Sequence, residues 1–361
     1  MNASVIICCG SGGVGKTTSS AALALKLAID GHRVVVLTID PARRLADSLN
    51  IGTIGGDPTR VPLPDASGRC DAVMLDVAET FVGLIRRFAS SEENAERILN
   101  NRYFQFASTR LGGVHEYMAA EKVRELAVCG AYDVVVVDTP PTRNALEFLR
   151  APERLAGLMD GAVMRWMAMP ASRGGWRVLE LGGEAAAKVL RRLVGDGTIG
   201  EIAQFFDLFR DLWDGFHERS LEVQAMLRGP HTRFLLVTSP APTARSEALF
   251  FLEQLVQQEM PFAGFIINRV QQAPSETLDR SVFPSEGPLE HWSILCDQVV
   301  ETHTNQSLLA EIDHRNIQAL KAAGPKHAAH WMIPDQGRPV NHLDDLISLA
   351  THLPATSDLG L

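Results

Sequence analysis

Between an apolar run, Val5 to Cys9, and a helical run, Ala21 to Ile29, the chain carries Gly10-Ser11-Gly12-Gly13-Val14-Gly15-Lys16-Thr17-Thr18. The segment fits G-x-x-x-x-G-K-T in the strand–loop–helix setting that this pattern requires. Glycines let backbone N–H groups close around phosphate oxygens, and the N-terminus of the following helix adds positive potential. In this pattern Lys16 reaches the β- and γ-phosphates, and the Thr17 hydroxyl sits on Mg²⁺. Spacing, ending and flanks together set aside the plainer reading, an ordinary glycine-rich turn. The expectation is a binding site for a nucleoside triphosphate with Mg²⁺.

At 361 residues the chain can bury a large core and suits one big α/β domain or two smaller ones. Hydrophobic residues make up 46% and charged residues 21%, the balance of a soluble globular protein. A formal charge of −9 argues against non-specific nucleic-acid binding. No apolar run approaches the ~20 residues that a membrane-spanning helix needs. The first apolar stretch has no basic segment before it and reads as a strand rather than a signal peptide, so a cytoplasmic location is expected. The 5 cysteines contain no C-x-x-C pair, which disfavours a disulfide framework or a zinc-thiolate site built from this chain alone. Cys8 and Cys9 read as small buried apolar residues of the first strand.

Strand-like runs recur at Ser4–Cys9, Arg33–Ile39, Ala72–Leu75, Asp133–Val137, Arg233–Thr238, Phe262–Ile267 and His330–Ile333. Several are unbroken Val/Ile/Leu runs, as in strands buried on both faces of a parallel sheet. Helical stretches alternate with them at Thr17–Ile29, Val114–Val128, Thr243–Glu259, Gln306–Ala323 and Leu343–His352. The rhythm predicts an α/β fold with a doubly wound, mostly parallel sheet and sites at the C-terminal strand edge. Residues 79–128 and 151–230 break it and read as helices. They are expected to form a helical subdomain by insertion into an ATPase domain of residues 1–78, 129–150 and 231–361. Within the second insertion, Met159, Met164, Trp166, Met167 and Met169 lie close together, and Phe205, Phe206, Leu208, Phe209, Leu212, Trp213 and Phe216 follow a helical stripe. Two readings stay open: self-packing, or an adaptable apolar groove for a client.

Three strand ends carry candidate chemistry. Asp40, in Thr38-Ile39-Asp40-Pro41-Ala42-Arg43-Arg44-Leu45-Ala46-Asp47, either orients a water beside the phosphate loop or caps a helix. Val134 to Val137 end in Asp138, the form of a Walker B element whose carboxylate holds Mg²⁺. The segment after it is placed to sense the γ-phosphate. Asn268, in Phe265-Ile266-Ile267-Asn268-Arg269, either reads a purine edge or forms a turn. Trp331-Met332-Ile333-Pro334-Asp335 could cover the other side of the base.

Together these motifs resemble the ArsA/GET-type family of deviant Walker A ATPases, which energise arsenite efflux pumps and deliver tail-anchored membrane proteins. The resemblance rests on the phosphate loop, a D-P-A-x-x-L-x-D switch I at Asp40–Asp47 and a D-T-x-P-T switch II at Asp138–Thr142. It implies a dimeric ATPase with ATP and Mg²⁺ as ligands. Asp40 would activate the attacking water beside Lys16. Gly12, Gly13, Val14, Gly15, Lys16, Thr17 and Thr18 would hold phosphate, and Thr17 with Asp138 the metal. Asn268 and a loop near Pro334 would take the adenine, and Asp47, Thr142 and Arg143 belong to the switches.

Three departures from the family pattern stand out. The lysine that reaches across the family's dimer is Ser11 here, and a hydroxyl cannot supply a cationic contribution of about 10³-fold or more. The Gly-His pair after switch II is Arg143-Asn144, and the C-x-x-C zinc site of many targeting members is absent. Ser11 suggests a heterodimer with a lysine-bearing paralogue, or a homodimer in which Arg143, Arg43 or Arg44 supplies the charge. The main functional reading is a dimeric switch that couples ATP hydrolysis to binding and release of a client, with hydrophobic membrane-protein segments as the expected client class. A non-hydrolysing or regulatory subunit and an arsenite-pump role are the alternatives. At most peripheral membrane contact is expected, since the chain ends Thr356-Ser357-Asp358-Leu359-Gly360-Leu361 and not in a basic amphipathic helix.

Overall fold

Apolar runs without polar alternation have to be covered on both faces, and the chain meets that demand with an eight-stranded sheet. The computed structural model describes residues 3–40, 44–63, 66–101, 113–160, 212, 215–287, 290–326, 328–340 and 342–361. The strands are β1 (Ser4–Cys9), β2 (Arg33–Thr38), β3 (Thr59–Arg60), β4 (Arg69–Met74), β5 (Val134–Asp138), β6 (Thr232–Thr238), β7 (Phe262–Val270) and β8 (Ala329–Pro334). They lie in the order β3-β4-β2-β5-β1-β6-β7-β8. Every neighbouring pair is parallel except β3 with β4. From β1 the chain works outward to one side, returns through β5, and then works outward to the other. Doubly wound sheets place ligands where strand order reverses in this way.

Helix α1 (Lys16–Ile29) follows β1 directly. Its KTTSSAALALKLAI sequence is rich in good helix formers and buried along most of its length, because it lies on the sheet and also packs against the helix Leu343–Ala350. One core cluster joins Leu23, Leu25 and Leu27 of α1 to Ile6, Val34, Val36, Val134, Val136 and Ile266 of the sheet.

Two segments depart from the sequence expectation. Strand β3 has only two residues, too few for periodicity to show. The helix expected from Gln306 starts at Trp292 and ends at Ala323. Its first turns expose Ile294, Leu295 and Val299, so they carry no clean one-faced stripe that would mark a helix.

The chain divides into two compact units, Met1–Met74 with Cys129–Thr142 and Pro230–Leu361, and Leu75–Val128 with Arg143–Gly229. Residues 75–78, expected with the first unit, fall in the second, and residue 230 goes the other way. Residues 143–150, also expected with the first unit, fall in the second. The reason is that the helix Thr142–Asp160 runs on without a break and delivers Ala151 to the second unit's core. That core also contains Leu84, Ile85, Tyr117, Met118, Leu212 and Phe216. The Phe88 and Phe216 rings lie 5.7 Å apart within it. Met164, Trp166, Met167, Met169, Phe205, Phe206, Leu208, Phe209 and Trp213 lie outside the described residues.

Candidate functional site

Three strand ends meet around the loop that opens α1. Parallel register sets Cys8 of β1 and Thr38 of β2 on either side of Asp138 at the end of β5. The loop Gly10–Gly15 leaves β1 at that edge. Its first glycine is obligatory, since a Cβ at Gly10 would stand 2.0 Å from the Val237 carbonyl oxygen of β6. Gly12 and Gly13 are exposed, and a Cβ at either would meet nothing within 4 Å. The loop thus packs hard against the sheet at one end and leaves open space at its middle, room that a phosphate chain needs.

Lys16 is buried, and its Nζ donates to the Ser11 carbonyl at 2.8 Å across the loop. Burial lowers its pKa from the ordinary lysine value, and the Asp138 charge opposes that fall. Thr17 Oγ1 donates to Asp138 Oδ2 at 2.8 Å. Thr38 Oγ1 donates to the same oxygen at 3.3 Å. The other oxygen, Asp138 Oδ1, is buried without a hydrogen-bond partner among the described residues. Burial pushes the Asp138 carboxyl up to about 6, against the Thr17 hydrogen bond and the Lys16 charge. A buried carboxylate oxygen left without a donor calls for a cation. A hydroxyl beside a carboxylate, next to a cradle for phosphate oxygens, is the hard oxygen donor set that Mg²⁺ takes, so the residues fit the metal expected from the sequence.

Asp40 follows β2 and is half-buried, and its carbonyl lies 3.4 Å from Thr38 Oγ1, where it competes with Asp138 Oδ2 for the single hydroxyl proton. The Ile39 N–H donates to the Asp138 carbonyl at 3.1 Å, which stitches the start of switch I to the β5 end. Pro41, Ala42 and Arg43 lie outside the described residues, while Arg44 and Asp47 are exposed on the short helix Arg44–Ser48. Thr18 is half-buried in the first turn of α1. Thr142 opens the helix Thr142–Asp160, with Arg143 next in it. Thr139 fixes the start of switch II, its Oγ1 donating to the Cys8 carbonyl at 2.8 Å. Cys8 and Cys9 are fully buried, and burial pushes both thiols up to about 12, which keeps them protonated and unreactive.

Asn268, at the far end of β7, is turned toward the phosphate loop: its Nδ2 donates to the Val14 carbonyl at 2.8 Å. Pro334 ends β8 beside Val270 of β7, and the Asp335 N–H donates to the Val270 carbonyl at 2.9 Å. The strand register thus brings Lys16, Thr17, Asp138 and Asn268 to one loop. Thr38 and Thr139 were missed in the sequence. Each is a hydroxyl residue at a strand's C-terminal end within two positions of a motif aspartate, and that placement is the signal that could have found them.

Comparison with known proteins agrees with this geometry. The anion-transporting ATPase family profile matches residues 3–283. A Chlorobaculum tepidum protein provisionally named an arsenical pump-driving ATPase is 29% identical over 56% of this chain and 48% of its own. ATPase ARSA2 of Chlamydomonas reinhardtii is 24% identical over 87% of this chain and 81% of its own. ATPase GET3 of Malassezia globosa is 31% identical over 42% and 43%. The match spans about half the length of the Chlorobaculum relative. A phosphate loop on β1, a metal-ready carboxylate on β5 and a family match across most of the length have one reading: the chain belongs to the anion-transporting ATPase family.

Proposed function

We propose that this protein binds ATP and hydrolyses it to ADP and phosphate, acting as a dimeric switch that couples turnover to binding and release of a client. The observation that carries the reading is the pairing of Thr17 Oγ1 with Asp138 Oδ2 at 2.8 Å, beside an unpartnered Oδ1 and an open glycine cradle. Thr17 and Asp138 would hold Mg²⁺, which would supply charge neutralisation at the phosphates. The chain's own residues do the rest. Backbone N–H groups from Gly12 to Thr18 hold the phosphates. Lys16 exchanges the Ser11 carbonyl for phosphate oxygen, and its ammonium offsets charge on the transferring group. Asp40 orients the attacking water from the end of β2. Closure of the dimer on ATP stores the difference in affinity between open and closed states, and hydrolysis releases it.

The client reading rests on the apolar second insertion and on similarity to proteins named GET3 and ARSA2. A hydrophobic membrane-protein segment suits it better than arsenite, which calls for three converging soft thiolates. One observation favours a second reading. Ser11 stands where the family places a lysine, so the chain would serve as a regulatory or obligately paired subunit beside a lysine-bearing paralogue. Calorimetric titration of Mg·ATP into the folded protein tests the binding reading, and absence of heat overturns it. Turnover by the purified chain alone separates the other two. Brisk hydrolysis supports the homodimer, and an Arg143→Ala variant with unchanged rate removes Arg143 as the source of the missing charge.

A further inference from the structure

A side chain expected to read a nucleobase is bonded instead to the loop that would hold the phosphates. Asn268 Nδ2 donates to the Val14 carbonyl at 2.8 Å, joining positions 254 residues apart in the sequence. Asn268 Oδ1 accepts from the Arg269 N–H at 2.9 Å. Both Asn268 and Val14 are buried, so neither the amide nor the carbonyl has water as an easy substitute.

Three further details show that the backbone is arranged around this contact. Arg269 has φ +60°, a left-handed conformation that a residue with a Cβ adopts at a cost, and it is there that its N–H meets Asn268 Oδ1. The β7–β8 register shifts between Ile267 and Val270, across the same two residues. On the loop side, a Cβ at Gly15 would stand 2.2 Å from Asn268 Nδ2. The glycine before Lys16 is therefore required for the amide to approach, as well as for its own φ of +93°.

We infer that Asn268 is a positioning residue for the triphosphate tail: it pins the Val14 carbonyl and so sets the loop's N–H groups in the phosphate-binding arrangement before nucleotide arrives. This rests on the reading of Gly10–Thr18 as a phosphate loop and goes beyond it. The amide spends one Nδ2 hydrogen and one Oδ1 lone pair on the protein. Any contact with a base would draw on what is left and would come second. Losing the brace lets the loop sample arrangements that bind phosphate poorly, and affinity falls by the fraction of loops no longer poised.

Base reading and loop bracing make opposite predictions for a ligand that has no base. Affinities of the wild type, Asn268→Ala and Asn268→Leu are measured by calorimetry for Mg²⁺ with ATP, GTP and inorganic tripolyphosphate. Leucine keeps the shape of asparagine without its hydrogen bonds, and the calorimetric stoichiometry reports the folded fraction separately from affinity. Bracing predicts a loss of about ten-fold for tripolyphosphate and an equal loss for ATP in both variants, the order expected for stranding a buried carbonyl. Unchanged tripolyphosphate affinity, or an ATP loss well beyond the tripolyphosphate loss, overturns the inference. Wild-type protein that binds none of the three overturns the phosphate-loop reading itself, a different failure with a different signature.

Discussion

Thr17 Oγ1 and Asp138 Oδ2 lie 2.8 Å apart, a contact that spans 121 residues of sequence and closes the phosphate-loop helix onto the neighbouring strand. It gives the buried carboxylate a donor of its own and keeps the two expected metal ligands at one place. Thr17→Ala leaves Asp138 with the longer Thr38 contact alone. The variant should lose about 2 kcal/mol of stability, the scale of a hydrogen bond to a charged group. Mg²⁺ should also cease to strengthen its ATP binding. Thermal melts and calorimetry with and without Mg²⁺ check both, and Thr17→Ser should recover most of each.

The proposed mechanism gives Asp40 a role on the attacking water and none in holding phosphate. Asp40→Asn removes the carboxylate charge and basicity while leaving Lys16, Thr17 and Asp138 in place. Turnover should fall by about 10²-fold or more, the usual weight of a general base or water-orienting group. Affinity for Mg·ATP should stay within about two-fold in the same calorimetric measurement, because removing a group that acts only in the transition state leaves ground-state binding intact. A variant that hydrolyses at the wild-type rate removes Asp40 from the mechanism.

Gly10 admits no side chain. A methyl group there would drive into the Val237 carbonyl, an atom of the central sheet that has no freedom to withdraw. Gly10→Ala should cost about 3 kcal/mol or more, read as a fall in melting temperature or as insoluble expression. Gly12→Ala, where the Cβ meets nothing within 4 Å, should fold normally and show its effect in nucleotide affinity alone.

Glu121 in the second unit carries a pH signature. Burial pushes its carboxyl up to about 7, while Arg219 (Nε to Oε1, 3.6 Å) and then Arg87 pull it down and Glu125 and Glu222 add to the rise. The folded state therefore keeps a proton that the unfolded chain has lost between the ordinary glutamate range and pH 7, and stability falls as pH rises through that window. Arg219 also pairs with Glu222 at 3.0 Å and keeps that partner if Glu121 is neutral. Glu121→Gln should flatten the pH dependence and raise the melting temperature at pH 8. The expected gain is on the order of 3 kcal/mol. A mutant that melts lower than wild type at pH 8 would show that the Arg219 pair outweighs desolvation.

How far the fold could be read from residues depended on how local each signal was. Val34 to Leu37 and Val134 to Val137 are unbroken β-branched or aliphatic runs, and they became central strands. The phosphate loop was legible because glycine, lysine and threonine at fixed spacing have one economical use. The Asp40 and Asp138 strand ends followed from the same logic. Asn268 stood out in the sequence as a candidate, but its contact did not, since nothing local to Ile267-Asn268-Arg269 indicates that the amide lies against Val14. Strand β3 was invisible because its two residues pair only through the non-local partners Asp71 and Ala72. The boundary at Thr142 was missed for a related reason: Pro140 and Pro141 mark where the helix starts, but nothing local to residues 143–150 shows which unit they belong to.

The two-residue β3 strand has a consequence for self-association. A sheet of valine- and isoleucine-rich strands offers its outermost backbone as a template for further pairing, and aggregation by that route needs a long, flat margin. Here the margin beyond β4 carries two residues running the opposite way, one of them Arg60, held by its Nε 2.6 Å from Asp71. So blunt and charged a border is a poor place for another copy to zip on, which leaves the six-residue β8 as the longer open margin of the sheet.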